Sequence, residues 1–348
     1  MARRGRVPLS EDQFLLAEVA QLYYVGNFTQ AEVSRRIGTS RSNVSRMLKE
    51  AREQGMVEVR IHSPLRTVPA LQEELVSRLG LRECLVLAAL EGDSRGVFES
   101  TDTVTQVAAL AARYLQENVA EGTTVGLGWG RSVYRVVHSR FFREKKEVTV
   151  VQAMGSIGGS IVEFDGIATT ARLAEVLGAS AHYLHAPMLV NDAATRSGLL
   201  RDPHISKTLE VARRAETIVS SVGTPGREHG QYLTGYLGDE DLEYIREQGA
   251  EGDICGAYYA FDGSSVHLEM NERSIAISTG HLSGVPNRIG VSSGPEKPRA
   301  NIGAARSSLL NVLITDEHTA GKMLDILDDE EPSQTHTGRR AKGGSRTA

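Results

Sequence analysis

The sequence predicts two units: a small helical head of helix-turn-helix type, carrying a wing strand, and a large α/β body with a mainly parallel sheet. Three observations carry this. The 348 residues exceed what a single hydrophobic core usually organises. Between residues 11 and 55 the apolar residues recur at helical spacing, interrupted by glycines. From Leu71 onward, short apolar runs alternate with helical patterns, the order expected of helices packed on a parallel sheet. At 40% hydrophobic and 24% charged, the composition supports real cores.

Taken in order, Ser10-Glu11-Asp12 supplies a capping serine and early acids to a first helix. Phe14, Leu15, Leu16, Val19, Ala20, Leu22, Tyr23 and Tyr24 are its apolar residues. Gly26-Asn27-Phe28 ends it. Thr29 then caps a short helix over 30–37, with Glu32 three residues on as a capping box requires and Ala31, Val33 and Ile37 as the expected buried face. Gly38 is the turn. Thr39-Ser40 opens a third helix from Arg41 to about Glu53, with Val44, Met47, Leu48 and Ala51 turned inward. Gly55 closes it, and the alternation over 56–61 predicts the wing strand.

This places the head at 1–62, a Pro-containing linker at 63–70, the body at 71–327 and a polar, disordered tail at 328–348. In the body, strands are predicted at 84–89, 124–127, 148–152, 182–184, 217–222, 274–278, 288–291 and 312–315. Helical patterns fall at 103–117, 133–138, 168–177, 206–214, 239–248 and 298–307.

The formal net charge is −5, but it is unevenly spread. Residues 1–62 carry ten Lys/Arg against seven Asp/Glu, a net of +3, so the body is acidic. A basic head on an acidic body concentrates attraction for phosphates at one end. No apolar run is long enough to span a bilayer and the N-terminus lacks a signal-peptide core, so a cytoplasmic protein without membrane contact is expected. Cys84 and Cys255 stand far apart with no Cys/His cluster around either. Buried thiols are expected, and neither a metal site nor a cofactor.

The segment Arg41-Ser42-Asn43-Val44-Ser45-Arg46-Met47-Leu48 meets the demands on a recognition helix: one apolar stripe inward, and short polar and basic side chains near the N-terminus. Arg41, Ser42, Asn43, Ser45 and Arg46 are left available for base edges. Arg can grip guanine and Asn adenine through paired hydrogen bonds. On the preceding helix, Gln30, Ser34 and Arg35 are placed for backbone phosphates; Arg35 and Arg36 also read as a solvated helix face.

In the body, glycine-rich turns directly follow predicted strands: Gly126-Leu127-Gly128-Trp129-Gly130-Arg131-Ser132, Gly155-Ser156-Ile157-Gly158-Gly159-Ser160 and Gly223-Thr224-Pro225-Gly226. Each alone is equally a structural turn. Together, at the carboxyl ends of parallel strands, they converge on one crevice where a ligand binds. Ser292-Ser293-Gly294-Pro295-Glu296-Lys297 adds a cation to a fourth turn. Asp253, Glu296 and Lys297 are group types that acid/base catalysis uses, but the sequence offers no compelling nucleophile-base pair, and the helix-turn-helix weighs against an enzyme.

The head, "GLGWGRSVYRVV" (126–137), "VVQAMGSIGG" (150–159), "YLHAPMLV" (183–190), "GTPG" (223–226), "GDICGAYYAFDG" (252–263) and "GVSSGPEKPRANIGAARSSLLNVLITDEHTA" (290–320) resemble, in order and spacing, the SorC family of sugar-sensing bacterial transcription regulators. The resemblance runs from about Asp12 to Leu327. It implies a body similar to the phosphosugar isomerase fold acting as a binding module. It further implies a homo-oligomer, dimer or tetramer, whose binding to double-stranded operator DNA of a carbohydrate operon is altered by a phosphorylated sugar or sugar alcohol. By the same resemblance Gly128, Gly130, Arg131 and Ser132 line the first turn, Gly158, Gly159 and Ser160 the second, and Gly223 and Thr224 the third. Asp253 would accept sugar hydroxyls and Lys297 would pair with phosphate. The chain departs from the family pattern at Asp165-Gly166-Ile167-Ala168-Thr169, where an Asn and a Glu usually open the next helix, and at Ser293, which replaces a Gly.

Overall fold

A computed structural model describes residues 11–57, 65–89, 101–157, 161 and 165–330. The chain divides into two compact units, Met1–Ser63 and Pro64–Ala348.

In the first unit, helices α1 (Glu11–Tyr24), α2 (Gln30–Ile37) and α3 (Arg41–Glu53) enclose one small core. Leu16, Val19 and Ala20 of α1 meet Val33 of α2 and Val44, Met47, Leu48 and Ala51 of α3. The predicted capping box is present: Thr29 Oγ1 accepts from the Glu32 amide at 3.3 Å, and Glu32 Oε2 accepts from the Thr29 amide at 2.8 Å. The Thr29 amide, together with the Thr29 hydroxyl donating to the same oxygen at 2.8 Å, holds the Glu32 carboxyl below its ordinary value. Gly38 takes a left-handed conformation (φ 76°) that ends α2, and Ser40 caps α3 through the Asn43 amide. Ala31 is exposed rather than buried; it lies two residues from Val33, off the stripe that Val33 and Ile37 share. Met56 and Val57 pack against this core, while Ser10 and the rest of the predicted wing strand lie outside the described residues.

The second unit runs α4 (Pro69–Leu79), β1 (Glu83–Leu87), α5 (Thr101–Asn118), β2 (Thr124–Leu127), α6 (Arg131–Val137), β3 (Thr149–Gln152), α7 (Gly166–Leu177) and β4 (Ser180–His182). It continues with α8 (Ala193–Leu200), α9 (Pro203–Arg213), β5 (Thr217–Ser221), α10 (Gly230–Leu233), α11 (Asp239–Glu247), β6 (Gly252–Ile254) and β7 (Ala257–Tyr259). It ends with α12 (Thr279–Gly284), β8 (Asn287–Val291), α13 (Pro298–Arg306), β9 (Val312–Asp316) and α14 (Glu317–Glu330). Seven strands form one sheet in the order β1-β9-β8-β5-β2-β3-β4, parallel throughout.

Both faces are covered, which is why these strands read as continuous apolar runs. Along β9, Val312 and Ile314 enter the core beneath α5, α6 and α7, while Leu313 enters the core with α4, α13 and α14. From β2 the chain moves outward through β3 to β4; from β5 it moves the other way through β8 to β9. The direction reverses between β2 and β5, and such a reversal opens a crevice at the carboxyl ends of the strands.

Four sequence expectations shift. The linker ends earlier, because Pro69 starts α4, a position where its fixed φ and missing amide cost nothing. The segment at 328–330 is the last turn of α14, with Glu330 held by Arg306 at 2.7 Å, and 331–348 lie outside the described residues. The 274–278 run makes single bridges, Ser274 with Leu189 and Ala276 with Met154, rather than a strand. The 182–184 strand sits two residues earlier, as edge strand β4.

Candidate functional site

Two sites emerge, one on each unit. On the head, the face of α3 opposite its buried stripe exposes Arg41, Ser42, Ser45 and Arg46. Asn43 is half-buried and bonded at both ends of its amide: Nδ2 donates to Thr39 Oγ1 at 2.8 Å, and Oδ1 accepts from Arg46 Nη2 at 2.7 Å. A chain of bonds from the glycine turn therefore aims Arg46. Ser42 Oγ pairs with Ser40 Oγ at 2.9 Å. On α2, Gln30 and Ser34 are half-buried, and Arg35 is exposed, with Nε donating to the Ala31 carbonyl at 3.3 Å. Arg36 lies over the Phe28 ring, 5.3 Å from its centroid, and is thereby partly committed within the head.

In the body, a cleft of about 450 Å³ opens at the β2/β5 reversal. Its walls are the turns after β2, β5 and β8, joined by the β6 segment. Gly130, Arg131, Ser132, Gly223, Thr224, Asp253 and Lys297, seven of the expected ligand residues, line it. Gly128 underlies the first turn: a Cβ there would stand 2.7 Å from Ser220 Oγ and 3.1 Å from Cys255 Sγ. Gly158, Gly159 and Ser160 lie outside the described residues.

Asp253 is buried, and both its oxygens are held. Oδ1 lies 2.9 Å from His229 Nε2 and Oδ2 accepts from the Gly256 amide at 3.0 Å. Burial pushes its carboxyl up, but the His229 bond and charge, the Gly256 amide and the Lys297 charge outweigh this and leave it below its ordinary value. With an ionised partner, His229 Nε2 carries the proton, and its buried Nδ1 has no partner. Gly223 makes this approach possible: a Cβ there would fall 1.9 Å from Asp253 Oδ1. The Gly223 amide also donates to the Asp253 carbonyl at 2.9 Å, tying the β5 turn to β6.

Lys297 ends the β8 turn, its side chain only 17% exposed. Nζ donates to the Val222 carbonyl at 3.1 Å and to Thr224 Oγ1 at 3.4 Å, and lies 3.4 Å from the more exposed Glu296. Burial lowers its pKa; Glu296 and Asp253 oppose the shift, and Arg131 adds to it. An anion beside Lys297 would restore the lost stabilisation. The turn is braced from the start of α14: Thr319 Oγ1 accepts from the Gly294 amide at 3.1 Å and donates to Oδ2 of Asp316, the last residue of β9, at 2.6 Å. Arg131 pairs with Glu228 at 2.7 Å.

Sequence reasoning missed His229, Glu228, Arg135, Trp129 and Ser221, all of which line the cleft. Trp129 and Arg135 stood inside a quoted motif; the other three carried no spacing signal. At the family departure, Asp165 caps α7, accepting from the Ile167 and Ala168 amides at 2.9 and 3.1 Å. It serves the helix, not the cleft. Cys84 and Cys255 are buried, as expected, with their thiols pushed up to about 12 chiefly by burial. No described helix is long and apolar enough to cross a membrane.

Comparison with known proteins gives a consistent result. Residues 64–325 match the "Sugar-bind" family, a sugar-binding domain, and residues 19–64 match the MarR family. The chain is 30% identical to the deoxyribonucleoside regulator of Bacillus subtilis (strain 168), covering 91% of this chain and 99% of that one. It is 27% identical to the sorbitol operon regulator of Klebsiella pneumoniae, covering 90% and 99%. The crystal structure of the full-length sorbitol operon regulator SorC from Klebsiella pneumoniae superposes with a TM-score of 0.66 at 26% identity, covering 90% of this chain and all of that one.

Proposed function

The chain belongs to the SorC family of sugar-binding transcription regulators, and from that premise we propose that its cleft takes a phosphorylated sugar or sugar alcohol which alters operator binding by α3. The observation that carries the reading is Lys297, a nearly buried cation held in the cleft wall by the Val222 carbonyl, the Thr224 hydroxyl and the more exposed Glu296. A phosphate beside it gains a charge-assisted bond and adds the Thr224 hydroxyl. Asp253, held ionised and oriented by His229, accepts hydrogen bonds from sugar hydroxyls. Gly130, Gly223 and Gly294 keep the walls free of side chains.

On the head, Arg41, Ser42, Ser45 and Arg46 read base edges in the major groove, and Asn43 aims Arg46. Gln30, Ser34 and Arg35 contact phosphates, which set the register. The protein acts in the cytoplasm as a dimer or tetramer, so that paired heads meet paired half-sites.

The test is calorimetric. Phosphorylated sugars should bind the wild-type chain and their unphosphorylated parents should bind far more weakly. Lys297→Met should lower phosphosugar affinity by about tenfold or more, the loss of a charge-assisted bond. Equal binding of both sugar classes, or unchanged affinity in the variant, overturns the reading.

A further inference from the structure

The cations around the cleft are not equally committed. Arg131 is paired with Glu228, Lys297 with Glu296, and His229 with Asp253. Among the described residues lining the cleft, Arg135 is the one basic side chain with no carboxylate partner. It is half-buried, and its recorded contact is a long bond from Nη1 to the Arg131 carbonyl, at 3.4 Å. Arg135 follows Arg131 by one helical turn, so both guanidinium groups leave the same face of α6. Two like charges at this spacing repel each other, and here both face a concave space.

A guanidinium is costly to desolvate and cannot shed its proton in a protein. Half-buried in a cleft wall, beside a second arginine and without a carboxylate, it is matched by an anion arriving with the ligand. Lys297 belongs to the β8 turn and is bonded to the β5 turn, whereas Arg135 stands on α6. Arg131 lies between the two demands: its charge opposes that of Lys297, and its backbone carbonyl meets Arg135.

We propose that Arg135 is a specificity-determining residue of the effector site, and that the effector carries a second anionic group, a carboxylate or a second phosphate, on the side of the sugar away from Lys297. The inference rests on the phosphosugar reading of the cleft and sharpens it. Arg135 takes the second group through its paired N–H donors, a geometry that lysine or glutamine does not reproduce.

The experiment is a calorimetric titration of the full chain with fructose 6-phosphate, 6-phosphogluconate and fructose 1,6-bisphosphate, repeated on Arg135→Gln. At least one two-anion ligand should bind wild type about tenfold or more tightly than the monophosphate. Arg135→Gln should erase that ratio while leaving fructose 6-phosphate within about twofold. The preferred ligand decides between carboxylate and phosphate. If the monophosphate binds as tightly as both others, or if Arg135→Gln weakens all three equally, the proposal fails and the phosphosugar reading stands. If none of the three binds, both fall together. Unchanged thermal unfolding of Arg135→Gln separates lost recognition from lost structure.

Discussion

Gly223 has no room for a side chain. A methyl group there would overlap Asp253 Oδ1 at 1.9 Å and crowd His229 Nε2 at 3.1 Å, two nearly buried groups bonded to each other. Gly223→Ala should therefore cost roughly 1–3 kcal/mol of stability, the usual range for overpacking. It should also lower phosphosugar affinity in titration by more than tenfold, since the Asp253 carboxylate is displaced. Asp253 has a second signature, in pH. Its carboxyl is held below the ordinary value in the folded chain, so it contributes stability above the unfolded value of about 3.9. That contribution is lost as pH falls through the lower folded value. Asp253→Asn should then cost about 3 kcal/mol near neutrality, as for one partner removed from a buried pair. Denaturation curves of variant and wild type should converge in strong acid. Lys297 stood out in the sequence as the cation of the turn after the 288–291 strand, and Asp253 through the Gly252-Asp253-Ile254 stretch that resembles the family; both line the cleft. His229 was not: the carboxylate that gives it meaning is 24 residues away in sequence and reaches it only through the β5–β6 contact.

At the scale of elements, what the sequence made plain was local chemistry. The Thr29 capping box, the Gly38 turn and the Ser40 cap are each contained within a few residues, and α2 and α3 begin and end there. The β6–β7 hairpin was illegible for the complementary reason. Its two-residue turn is Cys255-Gly256, both left-handed at φ 52° and 77°, where Asn-Gly is the usual signal. Cys255 is held there by burial beneath Ser220, a contact between distant segments. Gly38 and α3 offer tests of the head. No atom lies within 4 Å of a Cβ placed on Gly38, so Gly38→Ala meets only backbone strain and should cost about 1 kcal/mol. That is measurable as faster hydrogen exchange of the α3 amides. Arg46 is aimed by a bond network that ends on Thr39, at the turn itself. Arg46→Ala should remove about 1–3 kcal/mol of discrimination between operator and random duplex, leaving effector affinity unchanged. Retained operator preference in a competition assay would remove Arg46 from the base-reading set.

For the whole molecule, the acidic body and basic head separate two kinds of recognition, and regulation requires that they be energetically linked. A ligand that binds both DNA-competent and DNA-incompetent states equally well shifts nothing, however tightly it is held. The effector must distinguish them, and thermodynamic linkage makes the effect mutual. If phosphosugar changes operator affinity by some factor, saturating operator must change phosphosugar affinity by the same factor and in the same direction. A coupling of about 1–3 kcal/mol corresponds to roughly 5–150-fold, well within reach of paired titrations. Lys297→Met should weaken the phosphosugar in both titrations while sparing operator binding by the unliganded chain, since Lys297 belongs to the body alone. Unequal factors at matched salt would mean that the sugar acts outside the cleft or that assembly changes between the two measurements. A factor of one in both would leave a sugar binder and a DNA reader joined in one chain without communication.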